Sequence, residues 1–232
     1  MRSTFMSYIA ACVFAAFAAA CGPKAALIGA LLPQSAVNVM LGSLERVSDE
    51  NRLRVDALVR EKRWDALATL AEGELAKDRA NADWWLVRGY ALSQLSRHRM
   101  ASEAYAEVVR LTPDDPAGWH LLAQTHRAQG EPERAVRLLE NARYALRDSP
   151  MTAYLLGESY GDLRRYDLAL AAYREALKIE QRFPAAWYAL AVSAARTGRG
   201  AEAREAEARL AKLDPVMAKQ LREAMTKVGL QP

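Results

Sequence analysis

Residues 116–149 read PAGWHLLAQTHRAQGEPERAVRLLENARYALRDS, and a step of 34 residues from this stretch to its neighbours decides the fold. Trp119 has Trp85 one step before it and Trp187 two steps after it, with Ala153 on the rung between and Tyr154 beside that rung. Ala135 belongs to an unbroken ladder of Ala101, Ala135, Ala169 and Ala203. Ala123 belongs to a third, Gly89, Ala123, Gly157 and Ala191, and Ala142 to a fourth, Val108, Ala142, Ala176 and Leu210. The units are 82–115, 116–149, 150–183 and 184–217, without insertions. Self-similarity at one fixed period of this length marks a repeat array of stacked units, each too small to bury its apolar face alone.

This residue pattern resembles the tetratricopeptide-repeat (TPR) family over residues 82–217. The resemblance implies an all-α, right-handed α-solenoid of helical hairpins. The large residue of each first helix, Trp85, Trp119 or Trp187, would fill the space between hairpins. The small residues on both helices would let them approach, and a bulky side chain there would push the hairpin open. Gly130 and Gly198 fall at hairpin bends, and Pro113 and Pro215 stop second helices, because Pro cannot continue a helix. Some residues depart from the pattern. Arg88 stands in place of Leu, Glu207 in place of an aromatic, and Arg147 and Gln181 in place of the closing Pro.

Residues 48–81 read as a fifth, decayed hairpin, with Leu53, Val55, Leu58 and Val59 in one helix and Trp64, Leu67, Leu70 and Leu75 in the next. Its spacing is off by one. Met217, Leu221, Met225 and Val228 fall at helical spacing, so residues 218–232 are expected to form a capping helix and tail. Such a cap covers the exposed face of the last repeat. Within the linker 21–47, Leu27, Ile28, Leu31 and Leu32 precede Pro33, and Val37, Met40, Leu41, Leu44 and Val47 follow at helical spacing. This second run fits a helix packed on the first hairpin, or one lying on a membrane or a partner.

The chain opens Met1-Arg2, runs apolar from Phe5 to Phe17 and continues Ala18-Ala19-Ala20-Cys21-Gly22. A basic start, a short apolar run and small residues at the cut match a secretory signal, here residues 1–20. The closing Ala-Ala-Ala-Cys resembles a bacterial lipobox, which makes Cys21 the expected lipid attachment. Ala18 stands where a lipobox usually carries Leu. Cleavage after Ala20 without lipid would leave a soluble periplasmic protein, and an uncleaved anchor is the third possibility.

The 232 residues are 51% hydrophobic and 26% charged, with a formal net charge of +4, which suits a folded body. Acidic and basic residues alternate, so there is no basic block of the kind that holds nucleic acid. Cys12 and Cys21 are the chain's two cysteines, so the repeats carry no disulfide and no thiolate metal site. His120 and His126 lie six apart and share no helix face, and His98 falls in another repeat. No phosphate loop, nucleophile elbow or zinc helix motif is present. The sequence therefore implies neither enzyme nor cofactor nor metal.

In the TPR family the first helices line an inner curve. Carried over position by position, the resemblance gives a partner-binding groove of Asp83, Leu86, Tyr90 and Gln94, then His120, Gln124 and Arg127. Tyr154, Glu158 and Asp162 follow from the third unit, and Tyr188, Val192 and Arg196 from the fourth. The expected occupant is a protein or peptide segment, with the tyrosines as contact surface. Tyr90 and Tyr188 could equally pack between hairpins. The family's clamp for a chaperone tail uses Lys and Asn where this chain has Leu86, Tyr90, His120 and Gln124, so that specialty is missing. The layout resembles the envelope TPR lipoproteins of bacteria, which serve assembly or recruitment. A glycan- or small-ligand-binding accessory subunit and a cytoplasmic TPR scaffold are the alternatives.

Overall fold

The computed structural model describes residues 40–227. The expected signal segment 1–20, lipid attachment at Cys21, the apolar residues Leu27 to Val37 and the tail from Val228 lie outside the described residues. From Asp49 the chain runs as helical hairpins, α1 (Asp49–Arg60) with α2 (Trp64–Lys77), then α3 (Ala82–Gln94) with α4 (His98–Leu111). They are followed by α5 (Pro116–Ala128) with α6 (Pro132–Ala145) and α7 (Pro150–Asp162) with α8 (Tyr166–Ile179). The last pair is α9 (Pro184–Arg196) with α10 (Gly200–Leu213), and α11 (Pro215–Lys227) closes the stack. Among the described residues there is no strand, and no helix is long and apolar enough to cross a membrane.

The hairpin bends carry the repeat more faithfully than the side chains do. Lys62, Ser96, Gly130, Arg164 and Gly198 all take positive φ, between 55° and 74°, and they stand 34 residues apart from first to last. Glycine adopts this left-handed conformation freely, while the other three residues accept it at a cost because the hairpin needs it. Lys62 is on the ladder, so the decayed hairpin is in register at its bend. The missing residue is at its start. Helices α3, α5, α7 and α9 have 13 residues each, whereas α1 has 12 and is capped one position late, by Ser48.

Each first helix has a local reason to begin where it does. Asn81 accepts from the Asp83 N–H at 3.1 Å, Asp115 from Ala117 at 2.8 Å and Ser149 from Thr152 at 3.2 Å. These caps satisfy N–H groups that the helix leaves unpaired. Proline fills the first helical position of α5, α7, α9 and α11, where its missing N–H costs nothing. Pro215 thus ends one helix and begins the next. The last repeat accordingly stops at Asp214, which caps Met217, and not at 217, and the closing helix starts three residues before the expected 218.

The small-residue ladders form the crossing points. Ala101, Ala135, Ala169 and Ala203 are fully buried. A Cβ at Gly89 would lie 2.6 Å from Tyr105 Cε1, and one at Gly157 would lie 2.5 Å from Tyr173 Cε1. Those positions are glycine because a tyrosine from the second helix lies flat against them. Leu139 holds the tyrosine's place in the second unit, where Ala123 suffices. In the last unit the place falls to Glu207, which accepts from Arg222 of α11 at 2.6 Å. Ala218, Leu221 and Met225 of α11 are buried against the core.

The tryptophans do more than fill space. Trp85, Trp119 and Trp187 each donate the indole N–H, at 2.9 Å, to the carbonyl six residues earlier, those of Arg79, Pro113 and Gln181. Each indole therefore pins the connection between two repeats to the helix that follows it. Arg88 stacks over Trp85 and pairs with Glu72 of the preceding hairpin, which explains the departure from Leu.

Candidate partner-binding groove

Helices α5 and α7, α7 and α9, and α9 and α11 touch directly, so the first helices form one row. The thirteen positions carried over for a groove divide sharply on that row. Leu86, Tyr90, His120, Tyr154, Glu158 and Tyr188 are buried, as is Asp83. Gln94 and Asp162 are exposed, and Gln124, Arg127, Val192 and Arg196 are half-buried.

The expected tyrosine contact surface is therefore corrected: the rings belong to the core. Tyr90 meets Trp64 edge-on at 5.8 Å, and Tyr154 packs on Phe183 at 5.1 Å and on Tyr173 at 6.0 Å. Burial pushes the Tyr90 hydroxyl up to about 12 and raises the Tyr154 and Tyr188 hydroxyls as well. Tyr90 thus fills the crossing with the preceding second helix, and Tyr154 packs on the second helix of its own hairpin and on the start of the next.

At the amino end of the row the chain covers its own groove. Met40, Leu44 and Val47 are buried, the Arg46 N–H donates to the Asp83 carboxylate, and Asn81 Nδ2 donates to the Arg46 carbonyl at 3.3 Å. Burial raises the Asp83 pKa, and the Arg46 N–H works against that rise. The second half of the linker is thus a strap on α3, which removes Asp83 as a free contact.

In the middle of the row the expected pair of opposite charges is closed on itself. Arg127 of α5 donates to Glu158 at 3.2 Å and to Asp162 at 2.6 Å, both on α7. Tyr173 donates to the other Glu158 oxygen at 2.8 Å. Burial raises the Glu158 pKa even though Arg127 and Tyr173 favour its charge. Burial disfavours the Arg127 charge in turn, but the Glu158 and Asp162 carboxylates outweigh it and hold the guanidinium protonated. Next to this cluster Ser149 accepts from the Thr152 N–H at 3.2 Å, the Thr152 and Ser149 hydroxyls meet at 3.0 Å, and the Thr152 oxygen meets His120 Nε2 at 2.9 Å. Burial lowers the His120 pKa to about 4.

Farther along the row Arg196 is different. One of its terminal nitrogens donates to the Tyr166 hydroxyl at 3.0 Å, with the guanidinium 5.5 Å from that ring. Its Nε is buried without an acceptor, alone in this among the side-chain polar atoms of the described residues. The sequence carried Arg196 as a groove cation, but nothing in it marked Tyr166, which opens the neighbouring second helix. No group of His, Cys, Asp and Glu among the described residues could hold a metal ion.

A family model described as tetratricopeptide repeat matches residues 154–218, and one described as anaphase-promoting complex, cyclosome, subunit 3 matches residues 94–176. Among curated proteins no sequence matches. The solved structure of TTC0263, a thermophilic TPR protein of Thermus thermophilus, is similar with a TM-score of 0.61 and 23% identity. That match covers 77% of this chain and all of that one. YrrB, a TPR protein with an unusual peptide-binding site, is similar with a TM-score of 0.57 and 14% identity, over 73% of this chain and 88% of that one. MamA 41-end from Desulfovibrio magneticus RS-1 gives 0.61 and 16%, over 71% and 93%. At these identities the likeness is one of fold.

Proposed function

We propose that this chain, a tetratricopeptide-repeat protein, holds a partner protein along its row of first helices in the bacterial cell envelope, facing the periplasm and tethered by lipid at Cys21. Such a fold is a protein-interaction scaffold, and the observation that carries the site is the half-buried guanidinium of Arg196, which reaches one hydroxyl and leaves its Nε without an acceptor. The Nε itself is closed to solvent, so an incoming carbonyl or carboxylate would meet the half-buried guanidinium at its terminal nitrogens, where a charge-assisted bond is worth about 1.5–3 kcal/mol. Val192 lies one helical turn before Arg196 on α9, and Gln124 and Gln94 continue the accessible line on α5 and α3. This is a strip of amides, one apolar side chain and one cation, suited to the backbone and acidic groups of an extended or helical segment. The envelope location rests on Met1-Arg2, the apolar run and the Ala-Ala-Ala-Cys ending at Cys21. The role that fits both parts is an adaptor that assists assembly or recruitment of an envelope complex.

Photo-crosslinking in intact cells tests the groove. A crosslinker at Val192 is expected to recover a discrete partner that one at Met100, exposed on α4, does not. Equal recovery from both positions rejects the groove. A clickable palmitate analogue is expected to label the wild type and not Cys21→Ser. Equal labelling of the two, or none of either, rejects the lipid anchor.

A further inference from the structure

The third repeat breaks the tryptophan ladder, and it does so beside an open cleft of about 380 Å³. The cleft lies between α6 and α8 where the chain turns into α7, and it meets the row of first helices only at the start of α7, through Thr152 and Ala153. Ala153, where the other repeats have tryptophan, is at its floor and is itself 2% exposed. Leu146, Ile179 and Tyr144 give it apolar lining, and Arg147, the paired Arg143 and Glu175, Asp148, Ser149 and Thr152 give it polar lining.

Three departures from the repeat meet at this one place. The first is the loss of the indole. The second is the acceptor it would have used. Arg79, Pro113 and Gln181 give their carbonyls to Trp85, Trp119 and Trp187, and the residue six before Ala153 is Arg147. Its carbonyl meets no donor among the described residues, and its guanidinium has no ion pair there. The third is Tyr144. The equivalent position is Arg110, Lys178 or Lys212 in the other repeats, charged groups that water solvates well. Here it is a tyrosine with 82% of its surface exposed, the most exposed large hydrophobic side chain among the described residues. Ile179 beside it is 38% exposed.

We propose that this cleft is a second binding site, independent of the groove, that takes a tryptophan side chain from a segment of a partner protein. The chain's own repeats supply the template. Around Trp85 the indole N–H reaches the carbonyl of Arg79 while the Arg79 guanidinium lies 5.9 Å from the ring centre. Arg147 occupies the same offset from Ala153 and offers the same two groups, one carbonyl and one cation face. Tyr144 and Ile179, which line the same cleft, add apolar surface for the ring. An indole presents what the cleft lacks, a flat apolar body and one donor at its edge, whereas phenylalanine has no donor. Residues 1–39 contain no tryptophan, so the segment outside the described residues has none to offer.

The test titrates the full chain with N-acetyl-tryptophanamide and follows backbone amide shifts. Saturable shifts confined to the neighbourhood of Arg147, Ala153 and Ile179 are expected. The 1-methylindole analogue, which has no N–H, should bind roughly fivefold more weakly. Ala153→Trp restores the repeat's own side chain, and should abolish these shifts and raise the melting temperature. Tyr144→Lys should weaken binding with an unchanged melting temperature, and it decides the matter alone if Ala153→Trp does not fold. An absence of localised shifts overturns the proposal. So does equal binding of the methylated analogue, or undiminished binding in either variant.

Discussion

Arg127 and Arg196 are two arginines on the same row of first helices with opposite fates. Arg127 is enclosed by Glu158 and Asp162, and its side chain is 12% exposed. Arg196 reaches a single hydroxyl and leaves its Nε without an acceptor. Charge at a groove position is therefore no guide to binding until its partners are counted. Where the chain supplies both signs, the charges join two repeats. Where it supplies one, the charge is left to water or to a partner.

The largest effect expected from this contrast is on stability. Arg127→Ala strands the Glu158 carboxylate, whose side chain is 1% exposed, and should cost about 3–5 kcal/mol in thermal or urea unfolding. Acid should soften that loss, since a protonated Glu158 has no charge to leave unpaired. An Arg127→Ala protein that melts like the wild type would mean that water reaches the cluster and that Arg127 is as free as Arg196.

His120 gives the next effect, with a definite sign. Its folded pKa of about 4 is below the ordinary 6.5, so between those values the unfolded chain binds a proton that the folded chain refuses. Its contribution to stability is complete above pH 6.5 and is lost as pH falls to 4, about 3 kcal/mol in all. Glu158 and Asp83, with raised pKa values, act in the opposite sense at the acid end. The check is therefore a difference: His120→Gln should lose stability less steeply than the wild type from pH 6.5 to 4. Parallel curves would contradict a neutral, buried imidazole.

A smaller loss is expected at the hairpin crossing. Gly157→Ala places a methyl group 2.5 Å from the Tyr173 ring and should cost about 1–3 kcal/mol by overpacking. At Gly89, where the same clash is with Tyr105 at 2.6 Å, Gly89→Ala combined with Tyr105→Leu recreates the Ala123 and Leu139 pairing of the second unit and should recover part of the loss of Gly89→Ala alone. Without recovery, the matching of glycine to tyrosine is not what sets this position.

The stacked architecture was legible in the sequence because its ladders are built from side chains that packing selects, Trp85 to Trp187 and Ala101 to Ala203. The bends at Lys62, Ser96 and Arg164 were not, since only Gly130 and Gly198 announce a left-handed conformation by residue type. The groove was legible in its line and not in its depth. A position such as Tyr154 or Tyr188 marks which face of a helix is turned inward, and says nothing of how closely the next helix lies against it. The Arg127 cluster joins residues more than thirty positions apart through one salt bridge per carboxylate, and no local spacing reveals it.

Arg196→Ala carries the smallest expected effect on the fold and the most direct test of the account. It removes one bond to Tyr166 and an N–H that has no acceptor, so the melting temperature should stay close to that of the wild type. Recovery of the Val192-crosslinked partner should be lost. A variant that melts as the wild type does and still captures the partner in full would contradict recognition along the first helices at Arg196.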